Sequence, residues 1–176
     1  LATEHLLEQG YRHIAHLAGP LAWWAARERK AGWEAALATA GLAPDASHCV
    51  EGNWSSRSAE RSIERLLAQY PEMDAVFVAN DQMALSVLHV AHRHGIRVPE
   101  ELGVVGFDGL PESAYFWPPL TTVDQDQHEL GCHAVQELVK MIGATRTGEP
   151  VAATAHLVFQ PRLIQRRSSA RLAAAA

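Results

Sequence analysis

Cysteine is scarce in this sequence, and it lacks long apolar runs and an excess of positive charge. Two cysteines, Cys49 and Cys132, are too few for a disulfide framework and are typical of free thiols in a reducing compartment. Apolar stretches such as residues 75–79 are far shorter than the roughly 18 residues needed to cross a bilayer, and no signal peptide is visible. Twenty Asp and Glu against fifteen Lys and Arg give a formal charge of −5, which excludes a broad basic surface. We therefore expect a cytoplasmic protein that does not contact membranes and does not bind nucleic acid through this chain.

Motifs for nucleotide binding, hydrolysis and metal binding are also missing. The sequence has no Walker A, Gly-x-Gly-x-x-Gly or Gly-x-Ser-x-Gly motif. His89, His92 and His94 cluster without a cysteine or carboxylate at ligand spacing. His128 and His133 are five residues apart, which turns them to different faces of a helix, so they do not match a zinc-protease motif. No metal, cofactor or catalytic residue is predicted.

The sequence does contain a regular alternation of short apolar strands and longer helical segments. Strands are predicted at residues 14–18, 48–51, 75–79, 102–107, 121–123 and 156–159, with helices between them. Strands that are apolar on both faces and joined by helices are typical of parallel sheets covered on both sides. The predicted fold class is therefore α/β, with a doubly wound, mostly parallel sheet.

Polar or aromatic residues follow the carboxyl ends of four predicted strands, where open parallel sheets bind their ligands. They are Arg27, Trp54, Asn80 and Asp108. Planar donors and acceptors beside an indole suit a sugar-like ligand. Each residue also has a structural alternative, since Asn80 can cap a helix, Arg27 can be a solvated helix residue and Trp54 can belong to the core.

Two carboxylates near this edge, Asp81 and Asp108, raise the alternative of a glycoside-processing enzyme. Such a pair needs an apolar pocket that raises the pKa of the acid, and a separation of roughly 5 to 9.5 Å. The sequence establishes neither condition, so a binding protein is favoured over an enzyme.

Several segments, in order along nearly the whole chain, resemble the effector-binding core of the lactose-repressor/galactose-repressor (LacI/GalR) transcription regulators. They are residues 10–15, 18–20, 78–85, 95–100, 104–108 and 118–123. The resemblance implies a type I periplasmic-binding-protein-like fold, mainly its C-terminal subdomain, with no enzymatic activity. It also implies a helix-turn-helix, a hinge helix and most of the N-terminal subdomain upstream of Leu1. Operator DNA is then a partner only through that upstream domain, and the effector is a small sugar or related metabolite.

The resemblance implies a division of the chain into four parts. Residues 1–120 correspond to the C-terminal subdomain, and residues 121–150 to the closing part of the N-terminal subdomain. Residues 151–165 return to the C-terminal subdomain as a strand, and residues 166–176 form a tail. Because the tail has no leucine heptads, a homodimer is favoured over a tetramer.

The resemblance also assigns ligand contacts. Arg27, Trp54, Asn80 and Asp108 occupy effector-contacting positions of the C-terminal subdomain, and Gln125 reaches in from the N-terminal one. Trp23 and Phe107 are candidate walls of the pocket. Family members often have small polar residues where this chain has Trp23 and Trp24, a pair that either narrows the pocket or adds a second stacking face.

A predicted dimer contact comprises Leu85, Tyr115, Phe116 and Trp117, with inward packing of at least one aromatic ring as the alternative. A periplasmic sugar-binding component of a transporter remains the alternative function, because it shares the fold and the turn at residues 79–81. Against this alternative, residues 98–100 and 118–122 resemble the corresponding segments of the regulators.

Overall fold

The computed structural model describes residues 1–147 and 158–171. Its helices and strands alternate through most of the chain, as the sequence predicts. The helices are α1 (Ala2–Glu8), α2 (Trp24–Thr39), α3 (Ser56–Gln69), α4 (Asp81–Arg93) and α5 (Gln127–Thr147). The strands are β1 (Ile14–Ala18), β2 (Cys49–Glu51), β3 (Ala75–Val78), β4 (Gly103–Asp108), β5 (Thr121–Asp124) and β6 (Arg162–Ile164). Within the described residues, no helix is long and apolar enough to span a membrane.

The strands form one sheet in the order β2-β1-β3-β4-β5-β6, in which all neighbours are parallel except β5 and β6. Helices α1 and α2 contact each other, as do α3 and α4. Successive residues of β3 alternate between two cores: Ala75 and Phe77 pack with α1 and α2, whereas Val76 and Val78 pack with α3 and α4. This two-sided burial explains why β3 is wholly apolar, and it confirms the predicted doubly wound α/β fold.

Side-chain caps set the start of the two helices on one face. The hydroxyl of Ser55 accepts a hydrogen bond from the Ser58 N–H at the start of α3, and Asn80 does the same for Met83 at the start of α4. These bonds satisfy backbone donors that have no partner inside the helix. Asn80 therefore begins α4 directly after β3, at the carboxyl edge of the sheet.

The sixth strand lies later in the chain than predicted. Of the predicted strand at residues 156–159, residues 156 and 157 lie outside the described residues, and Val158 and Phe159 are not in a strand. The strand is instead Arg162–Ile164, whose register on β5 pairs Arg162 with Asp124. The Arg162 guanidinium donates to Asp124 Oδ2 at 2.9 Å. An ion pair therefore accompanies the register of a strand whose three residues are too few to show an apolar pattern.

The sheet extends beyond residue 120, where the sequence placed a subdomain boundary. Residues 121–124 pair with β4 in the same sheet. Helix α5 then leaves the sheet and exposes an apolar face that includes Leu130, Val135, Leu138 and Ile142. The assignment of residues 121–150 to a second subdomain stays a prediction, and residues 148–157 lie outside the described part of the chain.

Candidate ligand-binding site

The carboxyl ends of the parallel strands gather a group of aromatic and polar side chains. Trp54 follows β2, Asn80 follows β3, Asp108 ends β4 and Gln125 follows β5. The strand-end rule predicts that these positions meet at one edge of the sheet, and they do. At the centre of the group lies Arg29 of α2.

Arg29 is held between two aromatic rings and an acid. Its guanidinium carbon lies 3.8 Å from the centre of the Phe107 ring and 5.5 Å from that of Trp54. One terminal nitrogen donates to the Ala79 carbonyl oxygen, and the other lies 3.6 Å from Asp108 Oδ1. Burial lowers the pKa of Arg29, while Asp108 opposes that shift. The result is a fixed, partly desolvated cation with planar donors.

Arg27, the arginine predicted from the sequence, does not reach this group. Its side chain is exposed and donates to the carbonyl oxygens of Leu21 at 3.1 Å and Ala22 at 2.9 Å. Two residues along an α-helix correspond to a rotation of about 200°, so Arg27 and Arg29 point to nearly opposite sides of α2. This corrects the sequence-based assignment, in which the alternative of a solvated helix residue was left open.

The spacing of residues along α2 indicates that Arg29, and not Arg27, faces the sheet. Trp33 and Leu37 are buried against the sheet. Counting back four residues from Trp33 gives Arg29, which therefore shares the inward-facing side of α2. Arg27 is six residues from Trp33 and does not share that side.

Asp108 combines burial, charge and an unusual backbone conformation. Burial raises its pKa to about 6, Arg29 counteracts the rise and the nearby Asp81 adds to it. The side-chain amide of Gln125 donates to Asp108 Oδ1 at 3.2 Å. The φ angle of Asp108 is 113°, a region that non-glycine residues rarely adopt. A carboxylate acceptor, an amide and a guanidinium therefore lie side by side.

Trp54 lies across the end of β1, where only a glycine leaves room for its ring. A Cβ atom at Gly19 would be 2.1 Å from an indole carbon of Trp54. Trp54 also packs on the core and has a φ of 69°. Such strained residues cost on the order of 1–3 kcal/mol each and concentrate at functional sites. Trp54 and Asp108 are two residues of this kind within one group.

Asn80 supports the group and is itself largely buried. While its Oδ1 caps α4, its Nδ2 donates to the Trp54 carbonyl oxygen at 3.1 Å. The helix-cap alternative raised by the sequence is therefore present in the structure. The same side chain ties the Trp54 loop to the end of β3.

Asp81 lies behind the site. It is fully buried and accepts hydrogen bonds from the Thr122 hydroxyl at 2.7 Å and the Leu110 N–H at 2.8 Å. Burial raises its pKa, and these hydrogen bonds counteract the rise. A Cβ at Gly106 would be 2.2 Å from its Oδ1. Asp81 therefore anchors the loop after β4, and it does not form an accessible carboxylate pair with Asp108.

The two predicted wall residues differ in exposure. Phe107 is half-buried beneath the Arg29 guanidinium, whereas Trp23 is 61% exposed at the rim. The rings of Trp23 and Trp54 meet edge to face, with centroids 6.3 Å apart and an interplanar angle of 74°. Trp24 is 69% exposed and has no ring contact within the described residues. Over the same residues, no group of three His, Cys, Asp or Glu side chains could hold a metal ion.

The aromatic loop predicted at a dimer contact presents two of its three rings to the surface. Tyr115 is 88% and Trp117 81% exposed, and Leu85 of α4 is also exposed. Phe116 instead packs against the core, which is the inward alternative for one ring. The structure thus leaves Leu85, Tyr115 and Trp117 available for a partner surface.

Comparison with protein families gives a match to the periplasmic binding protein-like domain over residues 3–169. The HTH-type transcriptional repressor PurR of Haemophilus influenzae (strain PittEE) is 36% identical over 168 residues, or 96% of this chain and 49% of that protein. PurR of Aliivibrio fischeri (strain MJ11) is 38% identical over 144 residues, or 81% of this chain and 43% of that protein. The chain thus spans about half the length of the curated relatives it matches.

The solved structures that this chain resembles are also transcriptional regulators. A complex of the transcriptional regulator CelR with cellobiose has a TM-score of 0.86 and 37% identity, covering 95% of this chain and 50% of that one. A lac repressor dimer bound to operator and the anti-inducer ONPF has a TM-score of 0.84 and 35% identity, covering 96% and 49%.

Proposed function

This chain belongs to the periplasmic binding protein-like domain family, among the LacI/GalR regulators, and on that premise we propose that it senses a small sugar-like effector for a transcriptional repressor. The effector binds at the carboxyl edge of the sheet. DNA is bound by an upstream helix-turn-helix domain, and the chain catalyses no reaction.

The convergence of Arg29, Trp54, Asp108 and Gln125 is the observation that carries this proposal. A carboxylate accepts hydrogen bonds from sugar hydroxyls, while a guanidinium and an amide donate to sugar oxygens. The indole of Trp54 supplies an apolar face for the C–H side of a sugar ring. One of the similar structures is a complex with cellobiose, which supports a saccharide as the ligand.

The site also suggests how binding is transmitted. The segment from β1 to β4 and its connecting helices and loops carries four of these residues, Arg29, Trp54, Asn80 and Asp108, whereas Gln125 lies on the segment that leads to α5. A ligand that contacts both sides favours one arrangement of the two subdomains over another. A coupling of about 1–3 kcal/mol suffices for a 5- to 150-fold change in operator affinity.

We assign the exposed Leu85, Tyr115 and Trp117 to the contact of a homodimer. A large aromatic side chain at the surface is typical of the core of a protein interface. The lac repressor structure that this chain resembles is a dimer. The transporter alternative has no comparable support, since the curated relatives named above are transcriptional repressors.

A thermal-shift screen of the complete protein tests the proposal. The library contains monosaccharides, disaccharides, sugar phosphates and nucleobases, because a ligand that binds the native state raises the unfolding midpoint. We expect a saccharide to raise the midpoint in the wild type and in Arg27→Met, and to have no effect on Arg29→Met. A shift with nucleobases alone, or no shift with any compound, contradicts a saccharide sensor, and turnover of a glycoside contradicts the absence of catalysis.

A further inference from the structure

We propose that Trp23 forms a second stacking face, so that the site takes a two-ring saccharide: one ring lies on Trp54 beside Arg29 and Asp108, and the other lies on Trp23. This inference rests on the proposed function and adds the size of the ligand. It also assigns a specificity-determining role to a residue outside the central group.

The indoles of Trp23 and Trp54 form a corner. Their centroids are 6.3 Å apart and their planes differ by 74°. A single ring cannot stack face-on against both planes at once, whereas two rings joined by a flexible glycosidic bond can each meet one plane. The edge-to-face contact also orients the Trp23 ring relative to Trp54.

The turn that carries Trp23 is held in place by hydrogen bonds. The Trp23 N–H donates to the Pro20 carbonyl oxygen at 2.9 Å. The Arg27 guanidinium donates to the carbonyl oxygens of Leu21 and Ala22, the two residues before Trp23. The main-chain bond from Trp23 thus closes the turn, and Arg27 adds to it from the side that faces away from the ligand. A platform that is ordered before the ligand arrives loses less conformational entropy on binding.

The Trp23 side chain is largely exposed to solvent. The Trp23 ring is 61% exposed, although its edge touches Trp54. The folded chain gains little from burying it, but a sugar ring stacked on it would remove apolar surface from water. The central group is half-buried, so Trp23 marks the outer end of the site. Trp24 is equally exposed without a contact to Trp54, which makes it the matched control within the described residues.

Calorimetric titrations of the complete protein test this inference. The probes are glucose and galactose, each paired with disaccharides that contain it: cellobiose and maltose for glucose, and lactose for galactose. For the disaccharide that binds best, we expect Trp23→Ala to raise the Kd about tenfold. The Kd of the matching monosaccharide should change less than about twofold, Trp24→Ala should leave both unchanged, and Trp23→Phe should restore part of the disaccharide affinity.

Three outcomes would overturn the inference. An equal increase in the Kd of the monosaccharide and the disaccharide in Trp23→Ala would place Trp23 against the first ring. Equal increases in Trp23→Ala and Trp24→Ala would mean that either substitution disturbs the turn as a whole. A wild type that binds a monosaccharide as well as its disaccharide would exclude a second ring site. These outcomes leave the proposed sensor intact, whereas a wild type that binds no saccharide contradicts both proposals.

Discussion

Replacing Arg29 with methionine should abolish most effector affinity while keeping the packing of the side-chain stem. The guanidinium lies against Phe107, faces Asp108 and donates to Ala79. A hydrogen bond to a charged group contributes about 1.5–3 kcal/mol. Loss of one such bond to the ligand corresponds to an increase in Kd of about 10- to 150-fold. Calorimetric titration with the saccharide identified by the thermal-shift screen measures this change.

The same substitution should change the pH dependence of binding. Arg29 opposes the upward shift in the pKa of Asp108, which stands at about 6. Without Arg29 the pKa of Asp108 rises further. Above its pKa, the Asp108 carboxylate accepts hydrogen bonds from sugar hydroxyls. It loses this ability as the pH falls through that pKa. Affinity in Arg29→Met should therefore begin to decline at a higher pH than in the wild type.

Arg27→Met is the matched control, because the Arg27 side chain is exposed and, among the residues that the structure describes, donates to the main-chain oxygens of Leu21 and Ala22 alone. Its loss should raise the Kd no more than about threefold, because these hydrogen bonds are exposed to solvent and the Trp23 N–H still holds the turn through its bond to the Pro20 carbonyl oxygen. Equal effects of the Arg27 and Arg29 substitutions would refute the reasoning. A pH profile of binding that is the same in Arg29→Met and the wild type would refute the role given to Asp108.

Three further predictions concern His16, Gly19 and the exposed face of α5. Burial lowers the pKa of His16 to about 4, so the neutral imidazole contributes fully to stability above pH 6.5, and this contribution falls as the pH drops toward 4. The free energy of unfolding should decrease by about 3 kcal/mol over this range. In urea unfolding, His16→Leu should therefore lose less stability at acid pH than the wild type. Gly19→Ala should displace the Trp54 indole and abolish saccharide binding by calorimetry with an unchanged circular dichroism spectrum, because the new Cβ would lie 2.1 Å from the ring. The chain alone should self-associate through exposed α5 residues such as Leu138 and Val139, so Val139→Glu should reduce its mass by light scattering, and a monomeric wild type would contradict this.

The central strands were the most predictable part of the fold. The strand predicted at residues 14–18 is β1, and the next central strand at residues 75–79 differs from β3 by one residue. Strands buried on both faces appear in the sequence as short, continuous apolar runs, and most helices are longer than such a run. Strand β6 lies within residues 151–165, to which the sequence assigns a returning strand, but after the narrower prediction at residues 156–159. Its position depends on pairing with β5 and on the ion pair between Arg162 and Asp124, neither of which has a local sequence pattern.

The candidate site was predictable where residues follow strands and less so where they lie on a helix. Trp54, Asp108 and Gln125 lie at or within three residues of the carboxyl end of a strand, so the topology of the sheet brings them together. Which arginine faces the site depends on the rotational phase of α2, and only the spacing to Trp33 distinguishes Arg29 from Arg27. The turn that brings Trp23 to Trp54 is closed by hydrogen bonds to the main-chain oxygens of residues 20–22, which no sequence motif indicates. The roles of these residues in ligand binding stay predictions.

A crystal structure of the complete protein with the saccharide identified by the screen tests the central claim most directly. The account predicts a sugar ring stacked on Trp54, with hydroxyl groups bonded to Asp108 and ring or hydroxyl oxygens bonded to Arg29 and Gln125. A saccharide bound away from the carboxyl edge of the sheet, or held by Arg27 with Arg29 still bonded only to protein atoms, would contradict it.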